Sequence, residues 1–243
     1  MKKQLKKQIK EDEFLSGVEL AWKWFRDNEK LARSGLIAVA AAVALAAGLS
    51  YFEGKRERDA SAALDAAMRV YETPLAGEIQ GAPPSGVTPF KEARDKFTKA
   101  AAAFDGVERG YPTLPVGRRA RYYAALCRLE LGDMAGARQL LQALAGGAAG
   151  LETSLAKLSL ADLDRRSGAV DKAVESYRAL AEDAALALPR DYVLMTLAGT
   201  LEEARRTQEA ATSYQSLYER YPDSVYAGEA QRRAAYLRAA SQG

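Results

Sequence analysis

The chain has 243 residues, a formal net charge of +3, one cysteine and no histidine. The charge is concentrated at the start, because residues 1–34 hold nine Lys/Arg against six Asp/Glu and the remainder is neutral. A neutral main region lacks the basic face that nucleic acids require, and the absence of histidine removes the commonest general base and the commonest zinc ligand. We therefore expect neither nucleic-acid binding nor an enzyme, and we expect no cofactor and no metal.

Residues 13–30, EFLSGVELAWKWFRDNEK, have the spacing of an amphipathic helix and follow a lysine-rich polar tail. Large apolar side chains fall on one face at about 100° per residue, and charged residues fall opposite. Aromatic residues beside an apolar stretch are typical of a helix at a membrane surface, and a basic tail suits anionic lipids. The alternative is a helix that docks on a soluble partner or on the chain's own domain. The residues expected at the membrane interface are Phe14, Val18, Trp22, Trp24 and Phe25.

Residues 35–52, GLIAVAAAVALAAGLSYF, contain no charged residue. As a helix they would rise about 27 Å, close to the ~30 Å of a bilayer core. We expect a transmembrane helix over 31–52, with a buried core helix and a cleaved signal peptide as the alternatives. Ala40, Ala44 and Gly48 are spaced four residues apart, which is a spacing that lets membrane helices approach closely.

The distribution of Lys and Arg predicts the orientation of this span. Residues 1–34 hold nine such residues, whereas four follow within 20 residues of Phe52. Within 20 residues on either side of 35–52 the counts are equal at four, so the asymmetry rests on the more distant lysines of the N-terminal tail. The side richer in Lys and Arg usually stays in the cytoplasm. We therefore expect a single-pass protein with its N-terminus in the cytoplasm and its C-terminal domain outside, which is the periplasm if the source is a Gram-negative bacterium.

After the span the chain reads as helical and rich in alanine. A helix is expected over 60–71 and should end before Pro74. Residues 74–89, PLAGEIQGAPPSGVTP, are rich in proline and glycine and predict a flexible insert. A second helix over 90–104 and a turn-rich stretch over 105–116 should follow.

Three later segments align at a period near 36 residues: GDMAGARQLLQAL (132–144), GAVDKAVESYRAL (168–180) and RRTQEAATSYQSL (205–217). Each carries an alanine, a large residue four positions later and a leucine three positions further on, with another alanine 12 positions upstream. Small residues let two antiparallel helices cross closely, and the large residue fills the space beside the crossing. The positions are Ala125, Ala137, Leu141 and Leu144; Ala161, Ala173, Tyr177 and Leu180; and Ala198, Ala210, Tyr214 and Leu217.

This pattern resembles the tetratricopeptide repeat. The match includes the turns at Gly132–Asp133 and Gly168 and the closing Tyr221–Pro222, whereas Arg205 stands where a turn glycine is usual. The resemblance implies an all-α fold, in which an α-solenoid of about four helix pairs and a terminal helix fills 53–243. An irregular helical bundle is the alternative. The expected units are 57–104, 118–146, 154–188 and 191–222, and the terminal helix is 224–240 with Ser224 as its N-cap.

The whole layout is similar to the YfgM-type ancillary subunit of the bacterial Sec translocon. The stretch DEFLSGVELAWKWFRDNEK followed by the span is the part most like that family. Membership would imply an inner-membrane protein that exposes its repeats to the periplasm and works beside the translocon and periplasmic chaperones.

The first helices of successive repeats should line a concave face. An aromatic and aliphatic groove with a few charges suits a polypeptide better than a small metabolite. The alternative is that several of these residues are simply core. The residues expected to bind a partner are Arg119, Tyr122, Leu126, Leu155, Leu158, Asp162, Arg165, Tyr192, Met195 and Glu202.

Other chemically active side chains are expected to be structural. Cys127 should pack within its helix pair. Asp162 and Asp164, like Glu202 and Glu203, should be solvated charges on helix surfaces. The leading hypothesis is a membrane-anchored module that binds translocon subunits, periplasmic chaperones or export clients, with lipids as the further contact. The alternatives are an envelope scaffold for cell-wall or outer-membrane assembly, and a carboxylate enzyme.

Overall fold

The computed structural model describes residues 22–24, 26–79, 86 and 88–241, and the chain divides into two compact units between Arg58 and Asp59. In the described residues the regular structure is helical apart from one isolated bridge between Leu75 and Phe90. Most of the predicted amphipathic helix lies outside these residues.

The first long helix, α1 (Glu29–Glu72), contains the predicted span. By length and composition, it is the one helix in the described residues that could cross a membrane. Its apolar window is exposed, as a span or a signal sequence would be, and is not packed in the protein as a core helix would be.

The remaining α-helices pack in chain order, each against the next. The pairs α3/α4, α5/α6 and α7/α8 correspond to the three predicted repeats, and α9 follows them as a terminal helix. The predicted all-α solenoid is thereby confirmed. The helices are α2 (Ala93–Gly110), α3 (Pro115–Glu130), α4 (Met134–Ala145), α5 (Leu151–Arg166), α6 (Val170–Glu182), α7 (Arg190–Glu203), α8 (Thr207–Arg220) and α9 (Ala227–Ala240).

The repeated small and large residues form the contacts within each pair. All twelve positions of the sequence pattern are buried, and the alanines are fully inaccessible. Two alanines at a crossing bring the helix backbones together, so that the large residue, such as Leu141 or Tyr177, fills the adjacent space. Burying each large side chain contributes about 1.5–3 kcal/mol to stability.

The end of α1 packs with α2 as the expected divergent first unit. Leu64 and Ala67 share an apolar cluster with Phe104 of α2 and Cys127 of α3. Tyr71 adds edge-on contacts to the rings around it, including one of 6.0 Å between centroids to Phe104. The first unit therefore covers the apolar face of α3.

The turn inside each later pair has the same backbone form. Gly132 and Gly168 have φ values of 78° and 83°, and Arg205 takes the equivalent place with φ 59°. In each turn the following amide donates to the carbonyl five residues earlier, for example Arg206 N to Leu201 O at 2.9 Å. This is the Schellman arrangement, which normally uses glycine at the left-handed position. The missing glycine therefore changes the local strain but not the turn.

Two predicted boundaries near α2 are wrong. Phe90 lies outside the helix, because its backbone N–H donates to Pro74 O and its carbonyl accepts from the Ala76 N–H. At the other end the helix continues to Gly110, through half of the stretch predicted as turns. Burial of Val107, together with an ion pair from Asp105 to Arg128, holds this extra turn in place.

The predicted N-cap of the terminal helix is also wrong. The helix starts at Ala227, and its N-cap residue is Tyr226. The Ser224 hydroxyl instead donates to Asp191 Oδ2 at 2.6 Å and accepts from the Tyr226 N–H at 3.1 Å. Ser224 therefore fixes the loop before α9 against the start of α7.

Candidate polypeptide-binding groove

A cavity of about 410 Å³ opens where the first helices of the three later pairs converge. It is bounded by α3, α5 and α7, with contributions from the end of α1, from α6 and from the loop before α7. Six of the ten residues expected to bind a partner line it together: Tyr122, Leu126, Leu155, Leu158, Asp162 and Tyr192.

The other four expected residues do not line the cavity. Arg119 is largely exposed and lies 3.4 Å from Glu152 Oε1. Met195 packs against the core shared by the last two pairs and α9. Glu202 accepts hydrogen bonds at 2.9 Å from both the Tyr214 hydroxyl and Arg233, and so connects α7 to α8 and α9. Arg165 lies beside the cavity and pairs with two carboxylates.

The charges beside the cavity form a connected group. Arg165 Nη2 donates to Asp162 Oδ1 at 2.7 Å, and Arg165 Nη1 donates to Glu203 Oε2 at 2.9 Å. The hydrogen bond to Asp162, followed by the charges of both carboxylates, raises the pKa of Arg165 above its usual range. Arg165 thus joins successive first helices, α5 and α7, at the edge of the cavity.

Two tyrosine hydroxyls in the cavity wall are in contrasting situations. The Tyr122 hydroxyl lies 3.4 Å from Ser159 Oγ. The Tyr177 hydroxyl is buried and has no hydrogen-bond partner among the described residues. Burial first, and the charge of Asp162 second, raise the pKa of Tyr177 to about 12, so the phenol is neutral at physiological pH.

Sequence reasoning missed two important residues of this cavity, Tyr71 and Tyr177. The repeat pattern predicts a packing position for Tyr177, and Tyr177 is part of the core. The signal that could have drawn attention to Tyr177 is its hydroxyl, because the first of the three repeats has Leu141 at the same position. A polar group at a core position is normally hydrogen-bonded, and one without a partner requires an explanation.

Asp164 and Cys127 are both buried. Asp164 is 3% exposed and accepts from Arg138 at 2.7 Å and Lys172 at 3.0 Å, so the expectation of a solvated charge is wrong. Burial alone would raise the pKa of Asp164, but the hydrogen bonds from Lys172 and Arg138 outweigh it and lower the pKa. Cys127 is packed as expected, and burial raises the pKa of its thiol to about 12.

Comparison with known families identifies the architecture. A model of a tetratricopeptide repeat-like domain matches residues 22–191, more than half of the chain, and a tetratricopeptide repeat model matches residues 192–224. The chain belongs to the tetratricopeptide repeat-like domain family. Tetratricopeptide repeats are typically non-catalytic modules for protein–protein interaction. Searches of curated proteins and of solved structures returned no match to the chain.

Proposed function

We propose that this chain is a membrane-anchored module that binds polypeptides in the groove formed by α3, α5 and α7. The observation that carries this proposal is the 410 Å³ cavity on the first helices of three successive pairs. Leucine and tyrosine side chains dominate its wall, with a few polar groups between them, as in sites that hold a side chain of a bound polypeptide. The lining comes from several repeats, so an extended segment can contact all of them at once.

The proposed anchor is the apolar part of α1. The family match begins at Trp22 and includes this helix together with the first repeats. An anchor of this kind would raise the local concentration of the groove near other membrane-bound proteins. We propose a cytoplasmic N-terminus and a periplasmic repeat domain, with the Sec translocon, its chaperones or its export clients as the partners. This rests on the excess of Lys and Arg before the span and on the family resemblance of the N-terminal segment.

Site-specific photocrosslinking in living cells tests this proposal. A photoreactive phenylalanine analogue replaces Tyr122, which lines the cavity, in the full-length chain. The matched control carries the same analogue at Glu175, which is exposed on α6 and does not line the cavity. We expect protein adducts from position 122 and few from position 175.

The identity of the adducts separates the candidate functions. A translocon subunit, a periplasmic chaperone or an export client supports the proposed role. Components of cell-wall or outer-membrane assembly would favour the scaffold alternative. Equal crosslinking from both positions, or none from position 122, would contradict polypeptide binding in the groove.

A further inference from the structure

The cavity wall has an unusual concentration of tyrosine rings. Tyr71, Tyr122, Tyr177 and Tyr192 contribute from four different helices. Aromatic rings carry negative charge on their faces and attract ammonium and guanidinium groups, most strongly where water is excluded. A cavity built in this way favours a cation over a neutral side chain of the same length.

The unpartnered Tyr177 hydroxyl has a direct internal comparison. Tyr214 occupies the same position in the next pair, and its hydroxyl donates to Glu202 Oε2 at 2.9 Å. The residue 12 positions before Tyr177, equivalent to Glu202, is Arg165. Arg165 directs its hydrogen bonds to Asp162 and Glu203. Tyr177 therefore lacks the acceptor that satisfies Tyr214, and its buried hydroxyl has no hydrogen-bond partner among the described residues.

Asp162 leaves a second acceptor available. Both hydrogen bonds from Arg165 reach Oδ1, at 3.1 and 2.7 Å. No hydrogen bond from the described part of the chain reaches Oδ2. An ionised carboxylate can only accept, so a group that pairs with this oxygen must be a donor.

The other lining charges are compatible with a cationic ligand. Glu130 lines the cavity and has no ion-pair partner in the residues that the structure describes. Arg166 also lines it, but this side chain is exposed and solvent weakens its repulsion. The apolar part of the wall, which includes Leu126 and Leu158, can cover an aliphatic stem.

We propose that the cavity takes a lysine or arginine side chain of the bound polypeptide. This inference rests on the proposed function and names the side chain that the groove selects. The cationic head lies among the tyrosine rings and donates to Asp162 Oδ2. It donates to the buried Tyr177 hydroxyl oxygen as well once the side chains of the wall open to it. The volume of about 410 Å³ is within the ~300–1,000 Å³ range of ligand pockets and can hold one long side chain.

Selection from a random dodecapeptide display library tests this inference. The target is the full-length protein in detergent micelles, as wild type and as the variants Asp162→Asn, Tyr177→Phe, Tyr214→Phe and Leu158→Asp. We expect wild type and Tyr214→Phe to enrich peptides with Lys or Arg at one fixed place among apolar residues. Asp162→Asn should lose the preference for a cation, and Leu158→Asp should enrich few peptides because it places a charge in the apolar wall. Far-UV circular dichroism checks that each variant is folded.

A second measurement gives the size of the selectivity. One enriched peptide is compared with its analogue in which norleucine replaces the selected lysine, which keeps the stem and removes the charge. We expect the analogue to bind wild type about tenfold more weakly, since it loses charge-assisted hydrogen bonds and cation–π contacts. The ratio should fall towards one in Asp162→Asn.

The outcomes distinguish this inference from the proposed function. If wild type enriches no more peptides than Leu158→Asp, polypeptide binding in the groove is contradicted. If wild type enriches peptides without a preference for Lys or Arg, or if the preference is unchanged in either Asp162→Asn or Tyr177→Phe, the cation site is overturned while the groove remains a binding site.

Discussion

The second and third helix pairs, α5/α6 and α7/α8, have the same backbone plan but use their polar groups differently. In the third pair the buried Tyr214 hydroxyl is satisfied by Glu202, which also pairs with Arg233 of the terminal helix. In the second pair Arg165 replaces that glutamate, and the Tyr177 hydroxyl has no partner among the described residues. The third pair thus uses its polar groups to hold α9, whereas the second leaves Asp162 Oδ2 and the buried Tyr177 hydroxyl without hydrogen-bond partners among the described residues.

This contrast shows how a repeat domain can separate stability from binding. Equivalent positions in neighbouring repeats have similar surroundings. An arginine in place of the glutamate therefore changes the hydrogen bonding of the tyrosine 12 positions later. The third pair, α7/α8, lies between α6 and α9, and no buried side-chain polar group in its described residues lacks a hydrogen-bond partner. The second pair lies at the centre of the groove. An unsatisfied buried hydroxyl costs about 1–3 kcal/mol, and a ligand that satisfies it recovers that free energy on binding.

The largest expected change in the free energy of unfolding comes from replacing Leu201 or Asp164, which occupy equivalent positions in α7 and α5. Leu201→Ala should lower the free energy of unfolding by about 3 kcal/mol, because Leu201 is fully buried and a cavity would remain. Asp164→Ala should lower it by about 2 kcal/mol through loss of charge-assisted hydrogen bonds from Arg138 and Lys172. Urea denaturation followed by circular dichroism measures both. Equal stability of Asp164→Ala and wild type would show that the buried ion pair contributes nothing.

The next largest change in stability is expected from removing the hydroxyl of Tyr214 or of Tyr177. Tyr214→Phe should destabilise the protein by about 1 kcal/mol, because it breaks the hydrogen bond to Glu202. Tyr177→Phe removes only an unpartnered hydroxyl and should leave stability unchanged or raise it by about 1 kcal/mol. Urea denaturation followed by circular dichroism measures the free energy of unfolding of both variants. A similar loss of stability in both variants would mean that the two hydroxyls are equally satisfied in solution.

A smaller change in stability is expected from substitutions at the left-handed turn positions Arg205 and Gly168. Arg205 adopts a left-handed conformation that an L-residue adopts at a cost, and its side chain has no ion pair in the described residues, so Arg205→Gly should stabilise the protein by about 1 kcal/mol. Gly168→Ala is the reciprocal change and should destabilise it by about 1 kcal/mol, since no neighbouring atom lies within 4 Å of the added Cβ and only backbone strain is introduced. The difference in thermal midpoints measures both. A destabilised Arg205→Gly variant would contradict the assigned strain.

The smallest effect is the pH dependence that Asp164 gives to the second pair. Its pKa is lower in the folded state than in the unfolded chain, so its contribution to stability is complete above the unfolded value of about 3.9 and is lost as pH falls through the folded value. Asp164→Asn should therefore flatten the decline in stability below about pH 4. Asp223→Asn, at an exposed position, is the control and should leave the acid limb unchanged.

Much of the fold could be predicted because its determinants are local and repeated. The alanines at the helix crossings recur at a fixed spacing, and each is buried where the spacing places it. The C-terminal boundary of α2 was missed because Gly106, Gly110 and Pro112 indicate a turn. Gly106 has a low helix propensity, but burial of Phe104 and Val107 outweighs it, and the helix continues through this position.

The groove could be predicted in outline but not in its chemistry. Outward positions on the first helices gave Tyr122, Leu158 and Tyr192, which converge on one cavity. Whether the Tyr177 hydroxyl has a hydrogen-bond partner depends on the direction in which Arg165 points its guanidinium group. That direction is set by Asp162 and by Glu203 of the next pair, and a relation among three helices cannot be read from the spacing of one.

The central claim is that the second pair provides the binding chemistry that the third pair uses for stability. The most direct measurement is the affinity of one lysine-containing peptide for wild type, Tyr177→Phe and Tyr214→Phe, each as the full-length protein in detergent micelles. We expect Tyr177→Phe to bind the peptide about fivefold more weakly than wild type, and Tyr214→Phe to bind it like wild type. Unchanged affinity in Tyr177→Phe, or an equal loss in both variants, would contradict it.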